Sequence, residues 1–81
     1  MTHPQDLNAL MSAVVDLARE ARRLARAGRN DVAEASADHF ERGAANAYRN
    51  RNAPMLADHL TAVQTLVEEL RARTGSGEAD T

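Results

Sequence analysis

The stretch PQDLNALMSAVVDLAREARRLARAG, Pro4 to Gly28, decides the fold. Leu7, Leu10, Val14, Leu17, Ala21 and Leu24 recur three and four apart, the spacing that stacks side chains on one face of an α-helix. Met11, Val15, Ala18 and Ala25 widen that face to roughly half the circumference. Thr2-His3-Pro4-Gln5 has the spacing of a capping box, with Thr2 as cap and Gln5 reaching back. Gly28 suits a left-handed residue that ends the helix. A helix from about Pro4 to Ala27 is therefore predicted.

Two further helices follow outward from it. Asn30 or Asp31 caps the second, and Asp31 with Glu34 has capping-box spacing. Its inner face, over residues 31–49, reads Ala33, Ser36, Ala37, Phe40, Gly43, Ala44, Ala47, with Tyr48 near the end. Asn50-Arg51-Asn52-Ala53-Pro54 breaks that pattern, and Pro54 suits the first turn of a third helix. Leu56, Leu60, Val63, Leu66, Val67 and Leu70 form its stripe, with Met55 and His59 at the edges, to about Arg73. Residues 75–81 read as a flexible tail. Both connections are short, so consecutive helices should be antiparallel neighbours. The expected fold class is all-α: a three-helix up-down-up antiparallel bundle, or a helical hairpin plus a third helix. One domain, residues 1–74, is expected, with helices at about 4–27, 31–49 and 54–73.

Composition narrows the function classes. A chain of 81 residues buries only ~60% of the surface it exposes when unfolded, so its stability margin is thin. Eight Leu, five Val and one Phe stand against seventeen Ala, so most core positions will pack closely yet bury little area each. Cysteine is absent, which excludes disulfides, thiolate metal sites and a cysteine nucleophile, and favours a cytoplasmic home over a secreted one. No apolar run reaches membrane-spanning length, and no signal-peptide pattern opens the chain. All ten basic residues are Arg, a usage that suggests a GC-rich bacterial genome. The net charge of −2 exerts no global pull on nucleic acid or membrane.

Arg19, Arg22, Arg23, Arg26 and Arg29 crowd the second half of the first helix. Such a ridge could contact an anion such as DNA phosphate. The structural reading is more specific. Folding the second helix back through Gly28–Asn30 sets residues whose numbers sum to about 60 side by side. Arg19 should then meet Glu41 and Arg26 meet Glu34, while Asp38 points outward toward Arg42 at i+4. A looser cluster, Arg42, Arg49 and Arg51 beside Tyr48, ends the second helix.

His39 and His59 share no helix and no metal-ligand spacing, so each reads as a boundary histidine tucked against the core. No serine or threonine sits in a nucleophile elbow. The apolar stripes hold no Arg or Gln to line an anion pocket, so no enzyme, metal or cofactor is expected. Leu17, Ala21, Leu24, Gly28, Ala33, Ala37 and Phe40 resemble the key positions of one tetratricopeptide-type hairpin. The last two stand in reverse order, the first helix is too long, and no second copy follows. The resemblance implies a tight antiparallel helix pair and no ligand.

The sequence thus points to a small non-enzymatic module for protein–protein interaction or oligomerisation. The expected contact is Leu7, Leu10, Met11, Val14 and Val15, because the second helix has stopped where they begin and the third covers them only in part. The expected partner is a second copy, as a homodimer, or a helix of another protein. The alternative is a small dimeric DNA-associated regulator using Arg19, Arg22, Arg23, Arg26 and Arg29. Glu68 and Glu69 on the third helix disfavour it, since they would repel phosphate.

Overall fold

The computed structural model describes the backbone of residues 6–79 and the side chains of residues 6–73. It contains three helices, α1 (Leu7–Ala27), α2 (Asp31–Arg49) and α3 (Ala53–Ala79), and no strand among the described residues. Every pair of helices is in contact, in the predicted up-down-up bundle.

Helix α1 begins at Leu7, later than the predicted Pro4. Asp6 is extended, at φ −65° and ψ 112°. Its carboxylate accepts the N–H groups of Asn8 at 3.0 Å and Ala9 at 3.4 Å, two of the donors that a helix start leaves unpaired. The capping box proposed for Thr2–Gln5 lies outside the described residues.

The two turns use one device. Gly28 was expected to be left-handed, but its φ is −92°; Arg29, one residue on, has φ 54°. Asn50 and Arg51 repeat the pattern, at φ −85° and 55°. The left-handed residue lets Arg29 N–H reach Arg26 O (3.1 Å) and Asn30 N–H reach Ala25 O (2.8 Å), the paired bonds of a Schellman end. Arg51 and Asn52 make the same bonds to Tyr48 O and Ala47 O. Each asparagine then starts the next helix. Asn30 Oδ1 accepts Ala33 N–H at 3.0 Å, and Asn52 Oδ1 accepts Met55 N–H at 3.1 Å. Asn30 is thus the cap of α2, and Pro54 lies in the first turn of α3 as predicted.

Helix α3 runs past the expected end at Arg73 to Ala79. The predicted tail is therefore helical from Gly75 to Ala79, while Asp80 and Thr81 lie outside the described residues. Neither Gly75 nor Gly77 has a positive φ, and no proline follows to stop propagation.

The core has two layers, named here by the end of the bundle they occupy. Near the Gly28–Asn30 turn, α1 and α2 supply only Ala21, Ala25, Ala33 and Ala37, and α3 supplies Val67 and Leu70. Near the opposite end lie Val14, Ala18, Ala44, Ala47, Leu56 and Val63. The four fully interior positions of α1 are Val14, Ala18, Ala21 and Ala25, spaced four, three and four apart. Leu10, Leu17 and Leu24 flank this line, half-buried. Small residues at the centre let the backbones approach closely, and the larger leucines seal the sides.

Candidate functional site

The five residues expected to form a contact surface do not stay together. Val14 is completely buried. Leu7, Leu10 and Met11 are half-buried against the core layer of Val14, Ala44, Ala47, Leu56 and Val63. Leu56 is itself fully buried, so α3 covers this end of α1 more fully than the sequence suggested. Leu7, Met11 and Val15, four residues apart along one edge of α1, remain accessible beside α2.

That edge borders a surface groove between α1 and the end of α2. Asn8, Met11, Ser12, Val15, Asp16, Arg19 and Tyr48 line one stretch of it. Asp6, Leu7, Asn8, Tyr48, Arg49 and Arg51 line the adjoining one. Tyr48 belongs to both, is 37% exposed, and donates its hydroxyl hydrogen to Asn8 Oδ1 at 2.5 Å. This bond ties the end of α2 to the start of α1 across the seam. The sequence placed Tyr48 near the end of the inner face of the second helix and beside an arginine cluster, whereas the structure sets it at the surface; its pairing with Asn8 follows from the antiparallel register.

The arginine ridge divides into two halves. Toward the Gly28–Asn30 turn it is neutralised. Arg22 Nη1 donates to Glu41 Oε1 at 2.5 Å and to Asp38 Oδ1 at 3.2 Å. Those carboxylates, Glu41 first, hold the Arg22 guanidinium above its ordinary pKa. Arg26 Nε reaches Glu34 Oε2 at 2.6 Å, as the predicted register requires. Glu41 was expected to meet Arg19, but Arg22 takes it. Asp38 turns inward to Arg22 instead of outward to Arg42. Arg22, the more deeply set of the two arginines with its side chain 21% exposed, lies between both acids.

Arg23 pairs within α1. Its Nη2 lies 2.7 Å from Glu20 Oε2 and its Nε 3.1 Å from Glu20 Oε1. Arg71 of α3 approaches the same carboxylate at 3.4 Å. Hydrogen bonding from Arg23, then its charge and those of Arg71, lower the Glu20 pKa below its ordinary 4.5 against an opposing desolvation. Arg19, Arg42, Arg49 and Arg51 make no ion pair with any described residue. Of the five arginines named for the alternative DNA surface, Arg22, Arg23 and Arg26 are paired with carboxylates, and Arg19 and Arg29 make no ion pair with any described residue.

His39 is exposed, its ring set edge-on to Phe40 with centroids 5.8 Å apart. His59 packs against α2 at Gly43, and its Nδ1 donates to Met55 O at 3.1 Å. Among the described residues no three His, Asp or Glu side chains gather to hold a metal, and no helix is long and apolar enough to cross a membrane. A second groove, between the start of α2 and α3, contains Val32, Leu66 and Leu70, with Val32 77% exposed. No known protein family, curated protein or solved structure matches the chain.

Proposed function

We propose that this protein is a non-enzymatic interaction module that presents the α1–α2 groove to a helix of another protein or to a second copy of itself. One observation carries the reading. Leu7, Met11 and Val15, partly accessible along one edge of α1, join the exposed Tyr48 in a continuous apolar strip two turns long, whereas the other exposed large apolar residues, Val32 and Met55, lie outside this groove. Apolar strips two helical turns long are what amphipathic helices dock on. The cysteine-free, lysine-free composition supports a cytoplasmic protein of bacterial origin.

The homodimer foreseen from the sequence narrows accordingly. Val14 is fully buried and Leu10 does not line the groove, so a contact would rest on Leu7, Met11, Val15 and Tyr48. The test is a photo-crosslinking amino acid at position 48, introduced in cells, with and without Val15→Glu. A specific crosslinked protein, either another chain or a second copy, that disappears with Val15→Glu supports the reading. A chain that crosslinks to nothing at this position, and stays monomeric by light scattering at high concentration, refutes it.

A further inference from the structure

We infer that the groove's occupant is an acidic amphipathic helix of a different protein; this rests on the interaction reading above and deepens it. The argument is the distribution of charge along one seam. In the half near the Gly28–Asn30 turn, Arg22 and Arg26 each face carboxylates across α1 and α2. In the other half the zipper stops. Arg19 borders the groove on one side and Arg49 and Arg51 on the other, and none has a carboxylate partner among the described residues.

The groove's own acids do not fill this need. Asp6 accepts the Asn8 and Ala9 N–H groups as the cap of α1. Asp16 alone is left on the rim against three arginines. Residues 1–5 add no carboxylate. Among the described residues these three cations therefore form no ion pair at the place where the apolar strip is open, and they outnumber the two acids of the lining.

The spacing specifies the partner. Leu7 to Val15 spans about 12 Å of helix axis, two turns. A docked helix would place apolar side chains at i, i+4 and i+7 along Leu7, Met11 and Val15, past the Tyr48 ring, with carboxylates at either end to meet Arg49 and Arg19. A second copy fits less well. A two-fold contact sets the same patch against itself and would bring two arginine rims together.

The experiment uses the full chain and two synthetic helical peptides of ~15 residues. One carries Leu at i, i+4 and i+7 flanked by Glu; its twin has Lys in place of each Glu. The readout is nuclear magnetic resonance shifts of the Met11 and Val15 methyls and the Tyr48 ring. The Glu peptide should move these signals and bind about tenfold more tightly than the Lys twin at low salt. Arg19→Glu with Arg49→Glu, both on exposed positions, should reverse that preference while the helical spectrum is unchanged. Equal binding of the twins, shifts confined to another face, or no binding of either overturns the inference. So do shifts of these signals that depend on protein concentration alone, which would assign the groove to a second copy, or shifts produced by duplex DNA and not by the Glu peptide. If position 48 crosslinks a protein in cells while neither peptide binds, the interaction reading stands and the acidic-helix inference falls.

Discussion

The imidazole of His59 occupies the space that a β-carbon on Gly43 would fill. An ideal Cβ built there would overlap the ring, with His59 Cδ2 at 2.5 Å. The ring is held from its other side, because Nδ1 donates to Met55 O at 3.1 Å. Glycine within α2 carries a penalty of ~1 kcal/mol relative to alanine, and here it makes room for a side chain of α3.

A double-mutant cycle follows from this contact. In a His59→Ala background, Gly43→Ala should stabilise by about 1 kcal/mol, the helix-propensity gain. In the wild type the same change must displace the ring and break its bond to Met55, so the gain should vanish or reverse. Coupling of about 1 kcal/mol or more, measured by urea unfolding, is expected. Additive effects would show that the ring does not need the glycine.

Both turns place an arginine in the left-handed region, where only glycine is at ease. Arg29→Gly and Arg51→Gly should each stabilise by about 0.5–1 kcal/mol despite removing a side chain. Asn30→Ala and Asn52→Ala should each cost about 1 kcal/mol, because each removes the acceptor that caps the following helix. Thermal unfolding of the four variants checks both signs at once.

The ion pairs should be unequal. Arg26 is 68% exposed, so its coupling with Glu34 should stay below about 1 kcal/mol, and Arg26→Glu should be partly rescued by Glu34→Arg. Arg22 lies between two acids and is 21% exposed, so Arg22→Gln should destabilise more than Arg26→Gln. Glu20 adds a pH dependence. Its folded pKa lies below its ordinary 4.5, so its contribution is complete above that value and is lost as pH falls through the lower, folded one. Glu20→Gln should therefore lower the melting temperature at pH 7 and change it progressively less below pH 4.5. A constant difference across that range would contradict the assignment.

The alanine-lined layer sets a limit on size. Ala37 is fully buried opposite Ala21 and Ala25, with Val67 and Leu70 of α3 against them. Ala37→Leu should destabilise by about 1–3 kcal/mol through overpacking, although leucine is a good helix former. Denaturant unfolding of this variant beside the exposed Ala35→Leu separates packing from propensity.

What the sequence determined by itself was local and periodic. Three stripes at helical spacing gave three helices, and short connections made neighbours antiparallel, because those properties depend on residues a few positions apart. The Arg26–Glu34 contact was legible for the same reason, since both residues lie within about one turn of the bend at Gly28–Asn30. The His59–Gly43 contact was within reach as well: folding about Arg51 pairs residues whose numbers sum to about 102. Only the tertiary structure decided which apolar residues are spare. Leu7, Leu10, Met11, Val14 and Val15 are alike in sequence, yet the rotation of α1 buries Val14 beneath α3 and leaves Leu7, Met11 and Val15 beside Tyr48. A helix wide enough to touch two neighbours has more apolar positions than either neighbour covers. The ones left over are fixed by how three helices close on a core of alanines, a packing balance that no single stripe contains.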